Sequence, residues 1–279
     1  MARATRYMPE MTNLQVREYL DGGGRMVLVP VGSTEDHGDH GPLWTDVYIP
    51  LEICKRAAEE LDALVGPPVP FGLAPDHRGA SGIVYVRLET FVGLLRDICV
   101  SLAEAGFTRI ALVNGHYVNS WAMQYAAARF FDELPQGVRI YPFPYWQGLR
   151  PEEAEQYLSG SAGLHANVGE TSAVLAIDPE LCDMERVRDF TPELPELRTS
   201  PFALLDPLFL ATPGSFWSLL EDGGGVWGRP SESTPERGEE FLGWCSRAVV
   251  NLVRDMDDVH DRIEDRYLAS RPRRGRRES

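Results

Sequence analysis

The sequence predicts an α/β protein with a mainly parallel central sheet. Three observations carry that reading. Short apolar, β-branched runs end at glycine or asparagine, as buried parallel strands do. Stretches with apolar residues at helical spacing lie between those runs. Hydrophobic residues make up 43 % of the 279 positions and charged residues 25 %, which fills a sizeable core and excludes a disordered chain. Strands alternating with helices call for a sheet covered by helices.

The elements follow in order. Residues 26–31 (MVLVPV) form the first strand, closed by Gly32. Residues 46–61 form a helix with Ile49, Leu51, Ile53, Cys54 and Ala57 at its apolar positions. Residues 90–105 form the next, with Val92, Leu95, Ile98 and Leu102 spaced for one face and Gly106 as its stop. Residues 110–113 (IALV) are a strand closed by Asn114-Gly115, residues 120–134 a helix, and residues 138–141 (VRIY) a strand. The last helix covers residues 234–263, with Thr234 as N-cap and Pro235 at its first position. No repeat or linker marks a boundary. The expectation is one domain over residues 1–265, with the proline- and glycine-rich stretch 191–225 as an excursion within it. Residues 266–279, with five of the arginines in the last nine positions, read as a basic, solvated tail.

Composition narrows the function. A net charge of -15 and a pI near 4.8 repel phosphate backbones, so nucleic acid is not an expected partner. No apolar run is long enough to span a bilayer, and the N-terminus lacks the apolar stretch of a secretory signal. Cys54, Cys99, Cys182 and Cys245 include no CxxC pair and read as reduced thiols in the cytoplasm. Lys55 is the single lysine, a bias toward arginine rather than a functional signal.

Histidine is rare and unevenly placed. His37 and His40 lie in GSTEDHGDHGPLWTD, just after the first strand; His116 lies in NGHYVNS, just after the central one. His165 lies in LHANVGETS and His77 in PDHRGASG, while His260 falls on an ordinary helix face. Open α/β sheets bind ligands outside the carboxyl ends of their strands. Glu35, His37, Asp46 and His116 therefore converge on one edge, and mixed imidazole and carboxylate ligands suit zinc, manganese or ferrous iron. Taken singly, each residue also fits a plainer role: a solvated glutamate at a strand end, or a turn histidine beside glycine. Spacing alone leaves both readings open.

VPVGSTEDHGDHGPLWTD resembles the first motif of the creatininase (creatinine amidohydrolase) family: Glu, any residue, His-Gly, any residue, His, ending in Thr-Asp. VNGHYVNS resembles the second motif, HANVGETS the third, and GVWGRPSESTPERG the late glycine motif. The matches run in family order from about Val29 to Gly238. The resemblance implies a three-layer α/β/α sandwich, a homo-oligomer that is often a hexamer, and two divalent ions (Zn2+, Mn2+ or Fe2+). Carried over, Glu35 and His116 bind one ion, His37 the other, and Asp46 bridges them. Val118 stands where creatininase has a further glutamate ligand. Glu170 is the candidate replacement, with a carboxylate serving only the helix start as the alternative. His165 matches the histidine that carries a proton to the leaving nitrogen, and could instead only orient Glu170. Tyr117 and Trp146 match or lie near pocket aromatics, and His77 could add a polar contact or brace its loop. His40 belongs to the first motif without a role of its own.

The implied activity is metal-dependent hydrolysis of a C–N bond in a cyclic or small linear amide. Two cations acidify a water, so a nucleophile is available near neutral pH. Val118 counts against creatinine itself. The alternatives are other family substrates: a formamide of a pterin- or flavin-like precursor, a ribosomal peptide trimmed in cofactor maturation, or an oxidised inositol ring. A catalytically silent binding protein is a third reading, opposed by the intact set Glu35, His37, Asp46 and His116.

Overall fold

The computed structural model describes residues 5–157, 162–193 and 221–263. In chain order these form α1 (Asn13–Asp21), β1 (Met26–Val31), α2 (Thr45–Glu60), β2 (Leu64–Val65), α3 (Leu88–Glu104), β3 (Arg109–Asn114) and α4 (Asn119–Phe130). There follow β4 (Arg139–Pro144), α5 (Pro151–Tyr157), β5 (Gly163–His165), α6 (Val168–Ile177), β6 (Trp227–Gly228) and α7 (Pro235–Ile263). Four strands make a parallel sheet in the order β2-β1-β3-β4, and β5 pairs antiparallel with β6.

The sheet is buried on both faces, which is why β1 is a continuous apolar run rather than an alternating one. On one face Met26, Leu28, Ala111, Val113 and Phe143 pack against α2, α6 and α7 through Ile49, Ile53, Val174, Phe241 and Val249. On the other, Val27, Val29, Val31, Ile110 and Leu112 pack against α3 and α4 through Phe91, Leu95, Met123 and Phe130, with Tyr19 and Leu20 of α1 alongside. This is a three-layer α/β/α sandwich. Each fully buried Leu, Ile, Val or Phe contributes about 1.5–3 kcal/mol, so truncating Leu28 or Phe91 to alanine should cost roughly 3–5 kcal/mol.

The expected elements are present, with shifted ends. The helix expected over 120–134 stops at Phe130, and a 3-10 turn covers Phe131–Glu133. The strand expected over 138–141 runs on to Pro144. All four cysteines are free thiols, and burial pushes Cys99 up to about 12 and Cys182 up to about 11. Most of the excursion at 191–225 and all of the tail at 266–279 lie outside the described residues. No helix among the described residues is long and apolar enough to cross a membrane.

Candidate metal centre

β1 and β3 are neighbours with Val31 opposite Asn114, so the segments leaving them emerge side by side. Gly32 and Gly115 follow, and a Cβ on either would lie 2.3 or 2.4 Å from the Asp46 carbonyl oxygen. Only glycine lets the first turn of α2 settle between the two strand ends. Asp46 is thereby delivered to the same edge, in the first turn of its helix, where a carboxylate is favoured.

Asparagines fix the approach of His116. Asn114 accepts from the His116 backbone N–H at 3.1 Å and donates to its carbonyl at 2.5 Å and to Ser120 Oγ at 3.0 Å. Asn119 donates to the Gly32 carbonyl at 3.0 Å and accepts from Leu73 N–H at 2.9 Å. The Leu73 carbonyl then lies 2.7 Å from His116 Nε2. A carbonyl only accepts, so His116 carries its proton on Nε2 and turns the Nδ1 lone pair inward.

Nδ1 of His116 lies 2.8 Å from Glu35 Oε2 and 3.0 Å from Asp46 Oδ2. His37 is arranged alike: its Nδ1 is 3.4 Å from the Glu35 backbone carbonyl, and its Nε2 is 3.3 Å from Asp46 Oδ1. Asp46 thus faces His116 with one oxygen and His37 with the other.

The third motif closes the site from the opposite side. His165 ends β5, with Nε2 2.7 Å from the Asp36 carbonyl and Nδ1 3.9 Å from Glu35 Oε1. Asn167 caps α6 and forms a reciprocal capping box with Glu170. Helix-start bonding and ligation are compatible for Glu170. One carboxylate oxygen meets the Asn167 N–H, and the residue still offers an oxygen within 4.8 Å of ligand atoms of His37 and His165. His77 adds Nε2 at 3.6 Å from Glu35 Oε1, and its ring lies 4.9 Å from that of His165.

Among the described residues three groupings have metal-binding proximity: Glu35, Asp46 and His116; His37, His165 and Glu170; Glu35, His77 and His165. Glu35, His37, Asp46 and His116 are each no more than 4 % exposed. Burial alone would raise the Glu35 carboxyl, but His116, His77 and His37 outweigh it and hold it well below the usual range. Burial also works against a charged His37, yet Asp46 lifts it to about 9. Burial, with Asp46 adding to it, lifts Glu170 to about 7. Burial, then the neighbouring His37 and His77, holds His165 well below its ordinary value, which favours its neutral form.

The residues fit divalent cations. Glu35 Oε2 and His37 Nε2 are buried with no hydrogen-bond partner, and both point at carboxylates or lone pairs that would otherwise repel. Three buried carboxylates and imidazoles oriented by backbone carbonyls make a mixed nitrogen–oxygen donor set of the kind that suits zinc or manganese.

Of the remaining expected residues, Tyr117 follows His116 directly and is 41 % exposed. Trp146 packs edge-on to Tyr145 at 4.9 Å and against the apolar core, so its ring is engaged in packing. His40, which had no expected role, meets Thr171 Oγ1 at 3.0 Å and ties the first motif to the first turn of α6. Asn114, Asn119, Asn167 and Thr171 were not read as functional, although all four stand inside the quoted motifs.

The fold and site define a three-layer α/β/α protein with a buried histidine–carboxylate centre suited to divalent ions. The chain belongs to the creatininase family, described as creatinine amidohydrolase, which matches residues 9–253. It is 29 % identical to the creatinine amidohydrolase of Pseudomonas putida over 89 % of this chain and 96 % of that one. It is 33 % identical to the mycofactocin precursor peptide peptidase of Mycolicibacterium smegmatis over 84 % of this chain and 88 % of that one. Among solved structures, a mutant creatininase of Zn-Zn type superimposes with a TM-score of 0.73 at 27 % identity, covering 91 % of this chain and 99 % of that one.

Proposed function

We propose that this chain is a metal-dependent amidohydrolase that cleaves a C–N bond of a cyclic or small linear amide. The observation that carries the reading is Asp46, whose two oxygens face His116 and His37 separately. Glu35, His116 and Asp46 would hold one ion; Asp46, His37 and Glu170 would hold the second, with Glu170 in place of the ligand that Val118 cannot be. Two such ions supply a water acidified toward neutral pH and polarise a substrate carbonyl.

The rest falls to the side chains. His165 commits its Nε2 proton to the Asp36 carbonyl and keeps Nδ1 free of charge, facing the site. Nδ1 accepts the proton that the attacking water gives up and returns it to the departing nitrogen. His77, beside Glu35 and His165, gives the substrate a polar contact, and Tyr117 lines the entrance. Burial of the centre excludes bulk water and strengthens each electrostatic contact there. Trp146 takes no part in this account.

The relatives act on different substrates, creatinine in one name and a precursor peptide in the other, so hydrolysis is the property they share. A panel of lactams, formamides and small linear amides, run with and without chelator, tests the reading. At least one class should be hydrolysed, with loss on chelation and recovery on adding zinc or manganese. Turnover untouched by chelation would contradict it.

A further inference from the structure

Glu35 divides its two oxygens between neighbours, as Asp46 does. Oε2 lies 2.8 Å from His116 Nδ1. Oε1 faces a different pair, 3.6 Å from His77 Nε2 and 3.9 Å from His165 Nδ1. The 3-10 turn Pro75–His77 delivers one of these imidazoles and β5 the other, and their rings stand 4.9 Å apart, tilted by 56°. All three residues are buried, and each offers a ligand atom within 4.8 Å of the other two.

These separations suit a shared ion better than direct bonds. Both exceed a hydrogen-bond length. Zinc bound at about 2.0–2.2 Å sets tetrahedral donors about 3.3–3.6 Å apart, so a small contraction seats it. His165 is also oriented as His116 is. Its Nε2 lies 2.7 Å from the Asp36 carbonyl, as that of His116 lies 2.7 Å from the Leu73 carbonyl, so each Nδ1 lone pair is turned to a carboxylate. Two imidazoles and one carboxylate oxygen leave a fourth position for water. Glu35 carries a single negative charge, and a cation on Oε2 weakens its hold on another at Oε1, so this site fills last.

We propose that Glu35 Oε1, His77 and His165 form a third divalent-ion site, which fills after the other two and stops turnover. The site itself rests on the three side chains; the inhibition rests on the reading of His165 as the proton carrier. Once His165 Nδ1 holds an ion, it has no lone pair for the proton of the attacking water, and none returns from it to the departing nitrogen. His77 is withdrawn from the substrate at the same time. Zinc is then an activator at its first equivalents and an inhibitor in excess.

Equilibrium dialysis of the full chain against rising zinc tests the site without any substrate. Bound zinc should level at about two ions per chain and then at about three, the last held roughly tenfold or more weakly than the others. Hydrolysis of an amide from the panel should fall as the third ion binds. His77→Ala should stop at two ions and need roughly tenfold more zinc for half inhibition, each variant being scored against its own activity without excess zinc. His77→Gln, which keeps bulk and polarity, takes its place if His77→Ala does not fold. A wild type that stops at two ions overturns the proposal and leaves the two-ion reading standing; a chain that binds no zinc overturns both. A third ion that the His77 variant retains lies elsewhere and overturns the proposal. A third ion that binds through His77 without slowing the wild type overturns the inhibition.

Discussion

Asp46 Oδ2 lies 3.0 Å from His116 Nδ1, while the opposite ring nitrogen of that histidine lies 2.7 Å from the Leu73 carbonyl. With the proton committed to the carbonyl, a lone pair and a carboxylate face each other at contact distance. A cation or a second proton must lie between them. The same conflict appears in the metal-free electrostatics, where His116 is raised well above its ordinary value by Glu35 and Asp46 against the pull of burial.

The orientation of His116 depends on Asn119, which reaches no ligand itself. Asn119→Ala should free Leu73 and loosen the imidazole. Metal affinity should fall roughly 10- to 100-fold, the usual effect of losing an outer partner. Titration with a competing chelator measures this. An affinity equal to wild type would show that the loop holds without Asn119.

His165→Ala should keep both ions and lose roughly 10²- to 10⁴-fold in kcat, with KM changed much less. An activated amide whose leaving group needs no proton should be hydrolysed almost normally. Equal loss on activated and ordinary amides would remove His165 from the proton-transfer role. Loss of an ion would make it a ligand, as its place beside His37 and Glu170 permits.

Creatinine should be a poor substrate, because Val118 supplies no ligand. Glu170→Gln should release the second ion selectively, which elemental analysis would show as a drop from about two ions per chain to about one. Retention of both ions would leave Glu170 with only its helix-capping role.

His40 should give the protein an acid limb. Burial and the nearby His37 lower it from 6.5 to about 4, so the unfolded chain takes up the proton first as pH falls. Stability is therefore complete above about pH 6.5 and is lost between there and about pH 4, by up to ~3 kcal/mol from this group. Burial of His77 acts in the same direction. His40→Gln, which can keep a hydrogen bond to Thr171, should flatten that limb in denaturant titrations at a series of pH values. An unchanged slope would contradict the assignment.

Sequence reading reached the centre where local pattern and sheet register coincide. The runs ending at Gly32 and Asn114 are adjacent strands, so two motifs far apart in the chain leave the sheet together. Of α6 it reached only the helix start at Glu170, because the helix is buried nearly all round and lacks the one-sided stripe that marks a surface helix. The β5–β6 pair was equally hidden, since three residues meet two across more than sixty positions. The start of α1 is written locally, in the capping box of Thr12 with Gln15. His77 sits in a loop without periodicity, and only the folded chain brings it to Glu35.

The most direct test of the account is the ion content of protein purified without chelator. Elemental analysis should find close to two divalent ions per chain, and Asp46→Ala should lose most of both, because that carboxylate faces both groups of ligands. Metal-free wild-type protein with full hydrolytic activity, or an Asp46→Ala variant that keeps both ions, would contradict it.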